Sequence, residues 1–132
     1  MARILVVEDE PIIAEMLMEW LQDLGHEAVG PAATVIEALR LVETQIDAVI
    51  LDYSLGREPS FPIAERLSQR GIPFAFATGH TVATIDPAYA AAANLIKPFG
   101  FEAFRKAVDA IAPGQKSGVD PAAAVNDDLR PR

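Results

Sequence analysis

Short apolar runs alternate with longer segments of helical period along the chain. Arg3-Ile4-Leu5-Val6-Val7, Ala48-Val49-Ile50-Leu51, Phe74-Ala75-Phe76-Ala77 and Asn94-Leu95-Ile96 are four such runs. The third is continuous with Pro73 and Thr78, and the second with Asp47 and Asp52. Uninterrupted apolarity of this length fits strands buried on both faces. Residues 26–30 form a further short strand. Between these lie stripes at spacings of three and four, the mark of amphipathic helices. Ile13, Met16, Leu17, Trp20, Leu21 and Leu24 mark residues 11–24, and Gly25 suits the helix stop. Val35, Ala38, Leu39 and Val42 mark 34–43; Ile63, Ala64 and Leu67 mark 61–69. A last helix over 100–112 turns Phe101, Phe104, Val108 and Ile111 inward.

The order is β-α repeated five times. That alternation predicts an α/β fold, a parallel sheet with helices on both faces. Right-handed crossovers leave the doubly wound, flavodoxin-like (βα)5 arrangement with strand order 2-1-3-4-5 as the natural topology. The fourth helix, within 81–92, is expected to be short or weak. Asp86-Pro87 stands in its middle, where proline deletes a helical hydrogen bond and restricts the residue before it. The domain is expected to span 1–112. The polar stretch 113–132, opening Pro113-Gly114-Gln115-Lys116-Ser117-Gly118, is expected to be a disordered tail with no output domain.

Composition narrows the function. Nineteen acidic residues against eleven Lys and Arg give a net charge of −8. No basic stripe is available to displace counterions, so nucleic acid is not an expected partner. The absence of cysteine removes thiol catalysis, disulfides and cysteine-ligated metals. No apolar stretch approaches the ~20 residues of a membrane helix, and no export segment opens the chain, so a cytoplasmic protein is expected.

The chemistry lies where the strands stop. The first ends in Glu8-Asp9-Glu10, the third in Asp52, the fourth in Thr78 and the fifth in Lys97-Pro98. Ligands of open α/β sheets bind beyond the carboxyl ends of the strands. In the order 2-1-3-4-5 the first and third strands are neighbours, so Glu8, Asp9 and Asp52 meet. Clustered carboxylates resist ionising unless a positive charge joins them. Mg²⁺ suits such a set, taking carboxylate and carbonyl oxygens and keeping several waters. Asp9 and Asp52 are the expected direct ligands, Glu8 acts mainly through water, and the Ser54 backbone carbonyl fills a further position. Asp52 is also a competent nucleophile for an acyl phosphate. Lys97 and Thr78 then hold phosphoryl oxygens, because such catalysis is mostly positioning and electrostatics. Each residue alone has a plainer use: Asp9-Glu10-Pro11 suits a helix start, Asp52 a turn, Thr78 a strand and Lys97 a solvated loop. His26 and His80 are too few for a metal site and are expected at the surface. No G-x-x-x-x-G-K-[ST] or G-x-G-x-x-G occurs, which excludes a P-loop and leaves a dinucleotide fold unsupported.

The set Val7-Glu8-Asp9-Glu10, Leu51-Asp52, Ala77-Thr78-Gly79 and Ile96-Lys97-Pro98-Phe99 resembles the receiver domain of two-component response regulators, over residues 1–112. The resemblance implies Mg²⁺-dependent phosphoryl transfer from a histidine kinase onto Asp52. It also implies a cis bond at Lys97-Pro98 that directs the lysine into the pocket. Pro73-Phe74-Ala75-Phe76-Ala77-Thr78-Gly79-His80 is similar to the PFxFATG(Y) signature of the FAT GUY receivers, which are associated with HWE histidine kinases. Two positions depart from the pattern. Asn94 stands where receivers carry a switch aromatic, and His80 replaces the tyrosine of the signature. Phosphorylation is therefore expected to reorder residues 79–92 in place of moving an aromatic.

The reading is a stand-alone receiver that signals by protein–protein contact, or acts as a relay or phosphate sink, and is not an enzyme beyond its own aspartyl chemistry. By analogy, the signalling face is the fourth helix, fifth strand and last helix. The alternatives are a phosphorylation-independent pseudo-receiver and a small Mg²⁺-dependent phosphatase with an Asp nucleophile. The second is disfavoured because Ser54, two residues past Asp52, supplies no general acid.

Overall fold

The computed structural model describes residues 1–79 and 93–112. Its elements are β1 (Arg3–Val7), α1 (Pro11–Asp23), β2 (Glu27–Ala32), α2 (Val35–Leu41), β3 (Ala48–Asp52), β4 (Ser54–Leu55), β5 (Glu58–Pro59), α3 (Phe61–Arg70), β6 (Phe74–Thr78), β7 (Ala93–Ile96) and α4 (Phe101–Ile111). Five strands form a parallel sheet in the order β2-β1-β3-β6-β7. With the small β4–β5 hairpin set aside, this is the expected 2-1-3-4-5. The expected fourth helix within 81–92, its reordering, His80 and the tail 113–132 lie outside the described residues.

Alternation along each strand divides the core into two layers. Ile4, Val6, Ala48, Ile50, Ala75, Ala77 and Leu95 face α1 and α4, packing on Leu17, Leu21, Phe104 and Val108. Leu5, Val7, Val49, Leu51, Phe74 and Phe76 face α2 and α3, packing on Ala38, Val42, Ile63 and Leu67. On β6 this places alanines under one helix layer and phenylalanines under the other. Large and small side chains interdigitate in this way, which is how close packing is reached. Trp20 ties α1 to α4, with its ring 5.4 Å from Phe104, 5.6 Å from Phe101 and 6.5 Å from Phe99.

The helix ends follow local chemistry. Thr34 caps α2, its Oγ1 accepting the Glu37 N–H at 3.2 Å, while Glu37 Oε1 accepts the Ala33 N–H at 2.9 Å. Gly71 closes α3 at φ 69°, the left-handed conformation that glycine adopts without a Cβ clash. At the start of α1 the capping residue is Glu10, with no side-chain cap, followed by Pro11. Asp9 is therefore not consumed as a helix cap.

Several expectations are corrected. His26 is not a surface residue: it is 6% exposed, and its Nδ1 accepts the Ala2 N–H at 3.1 Å, joining the starts of β1 and β2. Phe101 does not turn fully inward; it is 37% exposed and sets one edge against Trp20. The second strand does not end at Gly30. It continues through a cis Gly30-Pro31 bond to Ala32, and its pairing with β1 shifts register between Leu5 and Val7. A proline is tolerated there because β2 is an edge strand. After the shift, Ala32 O accepts the Glu8 N–H at 2.9 Å, so the edge strand still holds the residue that begins the acidic turn.

Phe104 is fully buried between the sheet and Trp20. Phe104→Ala is expected to cost about 3–5 kcal/mol of unfolding free energy, by lost burial and the cavity left behind. Urea denaturation of the variant and the parent chain measures it.

Candidate functional site

Strand parity builds the site. Glu8 continues the Ile4–Val6 face of β1, Asp52 the Ala48–Ile50 face of β3, and Lys97 follows Leu95 of β7 by two residues. Side chains two apart share a strand face. On β1, β3 and β7 the core-facing row is thus followed, at the carboxyl end, by a charged residue.

These charges meet. Carboxylate oxygens of Glu8, Asp9 and Asp52 lie within 4.8 Å of one another, the one such acidic cluster among the described residues. Lys97 Nζ donates to Glu8 Oε1 at 3.2 Å and to Asp52 Oδ2 at 3.3 Å. The Lys97-Pro98 bond is cis, as the resemblance implied, and the Lys97 N–H donates to Thr78 O at 2.7 Å. Glu8 and Asp52 are 2% and 6% exposed, so this is a buried charge cluster. Glu8 Oε2 also accepts the Glu10 N–H at 3.2 Å, holding the acidic turn back on itself.

The remaining predicted residues lie on the strands and turns around this cluster. Thr78 is buried at the carboxyl end of β6, and Gly79 follows it at the surface. Asn94, half-buried in β7, pairs in register with Phe76. The Ser54 N–H lies 3.4 Å from Asp52 Oδ1, so its backbone runs beside the carboxylate. The β4–β5 hairpin was not foreseen. Two-residue strands carry no periodicity to read, although Gly56, with φ 62°, is a turn signal. Ser60 also went unnoticed; a lone serine before a helix reads only as a cap.

Burial, and then the negative charge of Glu8, push the Asp52 carboxyl up to about 7, against the opposing pull of Lys97. Burial weighs against the charged form of Lys97, but attraction to Asp52 and Glu8 outweighs it, and its pKa is raised. One ammonium thus faces three carboxylates, and Asp9 makes no ion pair among the described residues. An oxygen-only donor set with excess negative charge fits a hard divalent cation such as Mg²⁺ and offers nothing to a thiophilic metal.

The fold and site together define a class of protein, and sequence comparison agrees. Residues 4–109 match the response regulator receiver domain, and the chain belongs to that family. SdrG from Sphingomonas melonis Fr1, solved in solution, is 42% identical; the match covers 84% of this chain and 96% of that one, with a TM-score of 0.73. TrrA from Thermotoga maritima, 30% identical, has been solved with Mg(2+)-BeF (84% and 99% covered, TM-score 0.73) and in complex with the histidine kinase ThkA (84% and 98% covered, TM-score 0.72). The transcriptional regulatory protein MalR of Bacillus subtilis is 31% identical over 115 residues, 82% of this chain and 49% of MalR. The chain spans about half the length of the curated relatives it matches.

The raised Asp52 pKa sets a pH dependence. Between about pH 4 and about 7 the native metal-free protein retains a proton that the unfolded chain has released. Its stability therefore falls as pH rises through that window. Thermal midpoints should show the decline, Asp52→Asn should flatten it, and Mg²⁺ should raise the midpoint more at pH 8 than at pH 5. Removing the opposing charge with Lys97→Met should move the Asp52 titration, read by carboxyl NMR, to still higher pH.

Proposed function

We propose that this chain is a stand-alone response regulator receiver that accepts a phosphoryl group on Asp52 from a histidine kinase. The observation that carries the reading is the Lys97 ammonium held between Glu8 and Asp52 at the carboxyl ends of three parallel strands. An Asp52 carboxylate oxygen attacks phosphorus; the new O–P bond forms as the kinase histidine N–P bond breaks, and the imidazole keeps the electron pair. Lys97 holds one phosphoryl oxygen as a point charge, and Thr78 with nearby backbone N–H groups holds another. Glu8, Asp9, Asp52 and the Ser54 carbonyl would hold Mg²⁺, which supplies charge neutralisation for the carboxylates and the transferring group.

The kinase partner is supported by the TrrA–ThkA complex and by the surface beside Asp52. Ile13, Met16, Lys97, Pro98 and Phe99 line an apolar groove of about 500 Å³, next to Ile12, which is 82% exposed. An amphipathic kinase helix fits such a groove with its histidine over the acidic pocket. The similarity of Pro73–His80 to the PFxFATG(Y) signature, with His80 in place of the tyrosine, supports a FAT GUY receiver served by an HWE-type kinase. The stand-alone reading is supported by the near-complete cover of SdrG. The protein acts in the cytoplasm by contact with a downstream protein or as a phosphate relay or sink. Among the described residues no helix is long and apolar enough to cross a membrane. Action as a phosphoester hydrolase is disfavoured, since the Ser54 hydroxyl is bonded to Gly56 O at 3.2 Å and is no general acid.

Incubation with a phosphorylated HWE-type kinase tests the reading. The expected result is a Mg²⁺-dependent label on the parent chain and none on Asp52→Asn. A label that survives Asp52→Asn, or no label from any such kinase, overturns it.

A further inference from the structure

Tyr53, the residue after Asp52, is held through its N–H, its carbonyl and its ring. The Tyr53 N–H donates to Ala77 O at 2.9 Å. Its ring makes edge contacts with Phe61 at 5.3 Å and Phe76 at 5.5 Å. Its carbonyl accepts two hydrogen bonds from one residue: the Ser60 N–H at 3.2 Å and the Ser60 hydroxyl at 2.8 Å.

Ser60 is fully buried and occupies the N-cap position of α3, yet its side chain makes no cap. The reason is local. Pro62, in the first turn, has no N–H to offer, and the Ile63 N–H is bonded to the Ser60 carbonyl at 3.0 Å. The hydroxyl that would ordinarily serve the helix is directed to Tyr53 instead.

Residues 53 and 60 bracket the β4–β5 hairpin, so this double bond closes its base. The hairpin borders the acidic pocket at two points. The Ser54 N–H lies 3.4 Å from Asp52 Oδ1, and a Cβ built on Gly56 would lie 3.7 Å from Asp9 Oδ2. Within the hairpin, Ser54 Oγ donates to Gly56 O at 3.2 Å. Displacement at the base therefore moves backbone that lies against two of the three carboxylates.

We propose that Ser60 is a positioning residue for the phosphoacceptor pocket: its buried hydroxyl, released from capping α3, anchors the Tyr53 carbonyl and so fixes the hairpin that walls the carboxylates. Ser60 touches neither metal nor phosphoryl group; it acts through Tyr53 and the Ser54–Gly56 backbone. Pre-organised geometry of this kind is what a site gains from its supporting residues. The inference rests on the reading of Asp52, Asp9 and Glu8 as a magnesium site.

The test compares the parent chain with Ser60→Ala, Ser60→Thr and Ser60→Val. Magnesium chloride is titrated while the Ser54 and Gly56 amide resonances are followed, and hydrogen exchange of the same amides is measured without metal. Loss of one such hydrogen bond is worth about a fivefold change. Ser60→Ala is expected to weaken magnesium binding by about that factor and to speed hairpin exchange. Amides of β1 should keep their protection. Threonine and valine add the same bulk and differ in the hydroxyl, so Thr should bind magnesium about fivefold more tightly than Val. That pair decides the matter if Ser60→Ala does not fold. Magnesium affinities equal within twofold for Thr and Val overturn the proposal. A parent chain that ignores magnesium overturns the metal reading instead. Hairpin exchange in the metal-free proteins then decides the role of Ser60, with equal protection in Thr and Val counting against it.

Discussion

Three carboxylates crowded at the ends of two adjacent strands are the constraint around which this molecule is arranged. In isolation such a cluster opposes folding, because buried like charges repel and lose their hydration. Lys97 relieves part of the repulsion by reaching from β7 to Glu8 and Asp52 at 3.2 and 3.3 Å. The relief is incomplete, and the Asp52 carboxyl is pushed up to about 7. The pocket keeps a standing demand for positive charge near Asp9 and for a place to put negative charge near Lys97. On the proposed reading a divalent cation would meet the first demand and a transferring phosphoryl group the second.

The fold holds this tension because everything beneath it is apolar and tightly paired. Strands β1 and β3 are buried almost throughout, and their partners on both sides leave no freedom to slide. A one-residue slip would reverse every side chain between two filled layers. The aromatic group of Trp20, Phe99, Phe101 and Phe104 locks α1 onto α4 on one face. The phenylalanines of β6 fill the other, where Phe76 also meets Tyr53. Core and site are therefore joined at Tyr53, the residue that follows Asp52.

Asn94 gives the site a particular character. On β7 it lies in register with Phe76 of β6, at the position where the family resemblance leads one to expect an aromatic residue. Among the described residues, Tyr53, Phe61 and Phe76 form an aromatic group beside the β4–β5 hairpin, next to Asp52 in the chain.

Much of this was legible in the chain itself. Apolar runs and helical stripes defined five strands and most of the helices, because burial imposes a period on sequence. Each run ended in a charged or hydroxylic residue, and parity along the strands is enough to put Glu8, Asp52 and Lys97 on one face. What a linear reading lacks is any measure of contacts made across the chain. His26 is buried where its ring accepts the amide of Ala2, just ahead of β1. Phe101 stays half in solvent because Trp20 already fills the space behind it. Ser60 reads as a helix cap until Pro62 and the Tyr53 carbonyl are brought alongside it. Local pattern alone sets the layers and the charged residues at the strand ends, since both repeat with the period of the elements. Only the tertiary structure decided which groups touch and which side chains serve others, since hydrogen bonds and charges act over a few ångströms of space and take no account of distance along the chain.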